Sequence, residues 1–267
     1  MERIADYTNL APLGSGNHGT YWLASTPARL GIPAPQVAIK VMQAPAEEDA
    51  FRRIVRELRA FAKVGSPHLV ELYDAGQEGE TFYYAMEYCP QGSLARPARH
   101  LTRGDVLSAV ADAARAAHDL HEAGMAHRDI NPGNILLTAD GAKLSDLGLV
   151  QVLSPGQTIT GMSAIGSIEY LDPAIMRGER ASRATDIWAL GVSLHHALTG
   201  RSVYGELPAN DPLLAVRRVL SSSPSLDPSL TPDEAMVVQA CIAGDPAARF
   251  RTAGDLARRI DALGVRS

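Results

Sequence analysis

Two cysteines, Cys89 and Cys241, are all that the 267 residues hold. They give no disulfide framework and no metal-ligand spacing, a pattern that fits a reducing compartment. Lysine is scarce too: of 25 basic side chains only Lys40, Lys63 and Lys143 are lysines. An ammonium is a compact point charge, so a lysine kept in an apolar strand against that arginine background is a candidate for work that arginine's wide fork cannot do. No apolar run of about 18 residues occurs, and Met1 to Asp6 lack an apolar signal core, so a soluble, cytoplasmic chain with no membrane segment is expected. The net charge of −5 suggests no surface built for nucleic acid or an anionic membrane. The length suits one domain, or two lobes sharing a cleft.

Residues 8–43 read as strands. Gly14, Gly16 and Gly19 mark a hairpin tip between two of them, and Val37 to Met42 form a third. Apolar residues at 51, 54, 55, 58, 61 and 62 recur at helical spacing, which predicts an amphipathic helix over 47–63 with Glu57 at the edge of its apolar face. Strands are expected over 69–73 and 82–88. An alanine-rich helix is expected over 104–124, stopped by Gly124. Residues 147–168 carry no formal charge, and helices resume from Asp186 onward.

Glycines let backbone amides approach phosphate oxygens. Here they join two strands rather than a strand and a helix, which argues for a nucleotide under a hairpin lid and against a dinucleotide fold or a P-loop. Lys40 sits 17 residues before Glu57, and an ammonium near the end of an apolar strand wants a counterion, which makes Glu57 on the following helix the candidate for an ion pair. The densest signal is His127-Arg128-Asp129-Ile130-Asn131-Pro132-Gly133-Asn134, followed by Asp146-Leu147-Gly148. Phosphoryl transfer needs oxygen donors for a divalent cation and a carboxylate to orient the attacking hydroxyl, and Asp129, Asn134 and Asp146 supply that set.

These motifs, with Val37-Ala38-Ile39-Lys40, Gly166 to Pro173, Asp186-Ile187-Trp188-Ala189-Leu190-Gly191 and Arg249, resemble in order those of the eukaryotic-like (Hanks-type) serine/threonine protein kinases of bacteria. The resemblance implies an α+β, bilobal fold: a small antiparallel-sheet lobe with one main helix over 1–88, a hinge at 89–93 and a mostly helical lobe over 94–267. It implies ATP and Mg²⁺, with Mn²⁺ as an alternative, and transfer to Ser or Thr hydroxyls of a protein substrate. Carried over, Lys40 holds the α- and β-phosphates and pairs with Glu57, Asp129 accepts the hydroxyl proton, and Asn134 and Asp146 ligate the metal. The nucleotide is then lined by Leu13, Gly14, Gly16, Gly19, Tyr21, Ala38, Met86, Glu87, Cys89 and Leu136. Phe61, Leu72, His127 and Leu147 match the stacked apolar positions that join the lobes.

Four positions depart from that pattern. Asn131 replaces a lysine, which removes a positive charge near the transferring phosphate, so slower chemistry is expected. Ala174 replaces the glutamate that pairs with Arg249, leaving Asp172 or solvent as the alternatives. Tyr21 replaces a valine and either crowds or covers the adenine slot. Leu147 for phenylalanine is a mild swap. Arg128 beside Asp129 suggests an activation segment ordered by phosphate, with Thr158, Thr160 and Ser163 as candidate phosphosites. Further readings stay open: a nucleotide- or partner-binding pseudokinase, a homodimer through the small lobes, and either a complete small kinase or the catalytic piece of a longer, membrane-anchored receptor.

Overall fold

In a computed structural model the described residues are 3–16, 19–43, 48–146, 165–208 and 210–264. They fall into two compact units. One contains the described residues of Met1–Lys63 and Val70–Tyr88, and the other those of Val64–Leu69, Cys89–Gly148 and Gln157–Ser267.

The first unit is an antiparallel sheet of β1 (Thr8–Gly16), β2 (Gly19–Ser25), β3 (Gln36–Gln43), β4 (Leu72–Glu78) and β5 (Thr81–Glu87), in the order β1-β2-β3-β5-β4. Alternation sorts β3 between its faces. Val37, Ile39 and Val41 bury themselves with Ala24, Tyr83 and Ala85 against Ile4 and Tyr7. Ala38, Lys40 and Met42 are left to the opposite face, where the register sets Tyr21, Lys40 and Tyr84 in one cross-strand row and Leu23, Ala38 and Met86 in the next. At Gly19 a Cβ would lie 2.3 Å from the carbonyl oxygen of Val41, so glycine alone lets β2 start so close to β3. Helix α1 (Glu48–Ala62) follows the predicted 47–63 and buries Ile54, Leu58 and Phe61.

The strand expected over 69–73 begins instead at Leu72. Leu69, which belongs to the second unit, closes a turn by donating its N–H to Ser66 O at 3.2 Å, and it pairs in parallel with Leu144 of the same unit. Its apolar side chain reads the same in either role.

In the second unit, α2 (Arg103–Glu122) starts at Thr102, whose hydroxyl accepts from Asp105 N while the Asp105 carboxylate accepts from Thr102 N. Pairing with Arg99 and Thr102 holds the Asp105 carboxyl well below the usual carboxylate range. The helix ends before Gly124, at φ +77°. Among the described residues the unit continues with the helices α3 (Pro173–Met176), α4 (Arg183–Thr199), α5 (Pro212–Ser221), α6 (Pro232–Cys241) and α7 (Ala253–Gly264). Helix α4 is buried over every residue from Thr185 to His195 and forms the central post of the unit. At Gly191 a Cβ would meet Cys241 Cβ at 2.3 Å, so the glycine lets α6 pack against α4. A small sheet of β6 (Gly92–Ser93), β7 (Arg96–Pro97), β8 (Ile135–Leu137) and β9 (Ala142–Leu144) has the order β7-β6-β8-β9, and the loop from 127 to 134 runs directly into β8.

Candidate active site

Lys40 is buried, with 5% of its surface exposed. Its Nζ lies 5.1 Å from the ring centre of Tyr21 and 5.9 Å from that of Tyr84. The two phenol rings come from the neighbouring strands of the same row, so the sheet register itself builds an aromatic flank on each side of the ammonium. Tyr21, expected either to crowd or to cover the adenine slot, stands directly opposite Lys40. In the adjacent row Ala38 and Met86 are buried. Glu57 is half-buried on α1. Leu13 is 42% exposed on β1, Gly14 has φ +149°, and Cys89 is buried just beyond β5.

In the second unit the organising group is the carboxylate of Asp186, 2% exposed in the first turn of α4. It accepts from His121 Nε2 at 2.8 Å, from the backbone N–H of His127 at 2.7 Å and from that of Arg128 at 2.9 Å. A buried carboxylate is tolerable only when its oxygens are satisfied, and here three donors do so. Arg128 takes φ +73°, a left-handed conformation that costs a non-glycine residue roughly 1–2 kcal/mol. The bond from its N–H to Asp186 holds it there.

His127 is fully buried. Its Nε2–H donates to Ser145 O at 2.9 Å, and Nδ1 accepts from Asp129 N at 3.4 Å, so the neutral tautomer is defined. Burial holds the imidazole below its ordinary range.

The loop then presents Asp129. Its Oδ2 accepts from Asn134 Nδ2 at 3.0 Å and its Oδ1 from Asn131 Nδ2 at 3.2 Å. Both amides also donate to the backbone oxygen of Asp129, at 2.8 Å from Asn134 and 3.1 Å from Asn131. Asn134 O accepts from Ser145 N at 2.9 Å, and Ser145 Oγ lies 3.4 Å from Asp146 Oδ2. Asp129, Asn134 and Asp146, separate in the sequence, are thereby gathered around Ser145. Asp146 has φ +59° and is 8% exposed.

Arg249 finds Asp172. Its Nη1 pairs with Asp172 Oδ2 in a fully buried ion pair and donates to Ala184 O at 2.8 Å, while Nε donates to Ala243 O at 2.9 Å. The guanidinium lies 4.9 Å over the Trp188 ring. Asp172 Oδ1 also caps α3, accepting from Ala174 N at 2.9 Å. One aspartate thus does two jobs where Ala174 offers no carboxylate.

The candidate residues divide between the units: Leu13, Gly14, Gly16, Gly19, Tyr21, Ala38, Lys40, Glu57, Met86 and Glu87 in the first, and Cys89, Asp129, Asn134, Leu136 and Asp146 in the second. Leu147, Thr158, Thr160 and Ser163 lie outside the described residues. Sequence reasoning missed the work of Ser145 and His121, and it treated Asp186 only as part of a motif. The available signal was a carboxylate opening an otherwise apolar helix.

Residues 7–257 match the profile of the protein kinase domain. The serine/threonine-protein kinase PknA of Mycobacterium tuberculosis is 30% identical over 265 residues, covering 94% of this chain and 59% of PknA. The serine/threonine-protein kinase PknK of the same organism is 31% identical over 265 residues, covering 96% of this chain and 23% of PknK. The chain therefore spans little more than half, or less, of these relatives. Among solved structures, a cysteine-to-alanine variant of the M. tuberculosis PknI kinase domain superposes with TM-score 0.70 at 25% identity, covering 97% of this chain and 96% of that one. The fold is that of a protein kinase, α+β in composition.

Proposed function

We propose that this chain, which belongs to the protein kinase domain family, transfers the γ-phosphoryl group of ATP to serine and threonine hydroxyls of proteins. The observation that carries this reading is the Asp129 carboxylate, set in a loop pinned to Asp186 and oriented by two amides. A carboxylate so held accepts the proton of a hydroxyl as its oxygen attacks phosphorus. PknA and PknK are named as serine/threonine kinases, which supports that acceptor class. Pro132 and Ser167 fit it too.

In this reading Lys40 neutralises the α- and β-phosphates and pairs with Glu57. The backbone of Gly14, Gly16 and Gly19 covers the phosphates. Glu87 through Cys89 offer the backbone groups for adenine, Leu13, Ala38, Met86 and Leu136 are its apolar contacts, and Tyr21 stands beside Lys40. Asn134 and Asp146 offer oxygen donors, the kind that hard divalent cations such as Mg²⁺ or Mn²⁺ take. With Nδ2 of Asn134 turned to Asp129, its Oδ1 is the atom left to offer a metal. A hard cation of this kind completes its shell with phosphate and water oxygens. That cation neutralises charge on the transferring group. Thr158, Thr160 and Ser163 are the proposed acceptors within the chain, with Arg128 as the counter-charge for the phosphate.

The test is intact-mass and peptide mass spectrometry after incubation with Mg-ATP, beside Asp129→Asn and Lys40→Met. Phosphates added to the wild type and missing from both variants are expected. No added phosphate and no transfer to a generic substrate would instead assign the chain to a nucleotide- or partner-binding role without turnover.

A further inference from the structure

Asn131 stands where the resemblance calls for a lysine, and its geometry gives it a job of its own. The Oδ1 atom of Asn131 accepts from Gly133 N at 2.9 Å, and since a backbone N–H can only donate, the amide orientation is fixed. Nδ2 must then face the other way, toward Asp129 O at 3.1 Å and Asp129 Oδ1 at 3.2 Å, both of them acceptors. The carbonyl end caps the turn Pro132–Asn134, and that turn carries Asn134, the residue that holds the other oxygen of the same carboxylate.

We propose that Asn131 is a positioning residue for Asp129: its amide fixes one carboxylate oxygen while its carbonyl caps the turn that delivers Asn134 to the other. The inference rests on the kinase reading for its effect on rate, but the hold on Asp129 is a matter of geometry alone. Both amide hydrogens of Asn131 are directed at Asp129, so the residue acts on hydroxyl orientation and not on nucleotide binding. The two jobs are chemically separable. Serine caps a turn about as well as asparagine, yet its hydroxyl is too short to reach both Gly133 N and Asp129 Oδ1. Aspartate also caps, and it sets a second carboxylate against Asp129.

The experiment uses the whole chain as wild type, Asn131→Ser and Asn131→Asp, with Asp129→Asn as the blank. Thermal midpoint, kcat and KM for ATP with a generic Ser/Thr peptide are measured for each, and a crystal structure is solved for wild type and Asn131→Ser. The midpoints are expected to stay within about 2 °C of wild type, because the cap oxygen survives. The kcat should fall about tenfold in Asn131→Ser, the scale of one lost orienting hydrogen bond, and further in Asn131→Asp. KM for ATP should move less than about twofold. The Asp129 carboxylate should rotate away from its wild-type position in the serine variant. Unchanged kcat, a rise in KM with kcat intact, or an unmoved carboxylate overturns the proposal. If the wild type itself shows no turnover, the kinase reading falls, and the crystal comparison still decides whether Asn131 holds Asp129.

Discussion

Lys40 sits on a sheet and Asp129 in a loop, and different physics immobilises each. Around Lys40 the fixing is done by register: antiparallel pairing sets Tyr21 and Tyr84 on either side, and their rings flank the ammonium at 5.1 and 5.9 Å. Such contacts are broad and tolerate shifts of a few tenths of an ångström. Around Asp129 the fixing is done by short polar links that converge on one buried carboxylate, from His121, His127 and Arg128 to Asp186. Every link there has a single geometry, and each lost partner leaves a buried group unsatisfied. The sheet row should therefore fail by losing function before stability, and the loop should lose both together wherever a link to Asp186 is broken.

The largest effect is expected at Asp186. Asp186→Ala leaves three donors without an acceptor, two of them backbone N–H groups that hold the loop. A loss of about 4 kcal/mol is expected, near 10 °C in thermal midpoint, together with all phosphoryl transfer. Differential scanning calorimetry beside the mass-spectrometric assay checks it, and a stable but inactive variant would break the contrast. Lys40→Met is the counterpart. Methionine keeps the volume and the strand, and it removes the cost of burying an ammonium along with that ammonium's polar and ring contacts. Stability should therefore change by less than about 2 kcal/mol, about half the loss at Asp186 or less, while transfer falls at least about 100-fold. A large fall in thermal midpoint for this variant would show the ammonium to be structural.

Mild acid separates the units more gently. Burial holds the imidazoles of His127 and His195 below their ordinary range, and both are bonded in the neutral form, His127 to Ser145 O and His195 to Arg201 O. A folded-state pKa below the unfolded value of about 6.5 means that the stabilisation is present above that pH and is lost as pH falls toward the folded values. The described residues of the small unit contain no histidine. Between about pH 7.5 and about pH 5.5, amides of α4 and of the 127–134 loop should therefore lose protection relative to those of β2, β3 and β5. Hydrogen exchange followed by mass spectrometry, corrected for the intrinsic pH dependence of exchange, reads the difference. Equal loss in both units would assign the effect to another group.

How much of this was legible beforehand follows the same divide. The 3.6-residue recurrence of Ile54, Leu58 and Phe61 placed α1 to within a residue at each end, because an amphipathic helix writes its buried face into local spacing. Lys40 stood out by scarcity, and Asp172 was already one of two partners open to Arg249. The β8–β9 hairpin did not show, since three-residue strands carry too few alternations to be distinguished from loop. The late start of β4 was hidden because Leu69 is apolar whether it extends a strand or bridges to Leu144. Asn131 read only as a missing charge. That its amide turns back on Asp129 depends on where Gly133 N points, and no spacing rule encodes that.

The finest probe of the comparison is Tyr21→Val, which restores the valine that the family resemblance calls for. Valine is a good strand former, so β2 should persist and the loss should be confined to one ring beside Lys40. A cation–π contact is worth about 0.5–2 kcal/mol depending on desolvation, and Tyr84 remains on the other side, so a loss near 1 kcal/mol is expected. The ring also occupies the sheet face that Ala38 and Met86 line, where the nucleotide is proposed to lie. Removing it should change KM for ATP by about threefold, with KM falling if the ring crowds the slot and rising if it covers it, while kcat stays within about twofold. The sign distinguishes the two roles open to Tyr21. An unchanged KM with kcat strongly reduced would mean that the ring positions the ammonium itself, making the sheet row as exacting as the loop and removing the contrast between them.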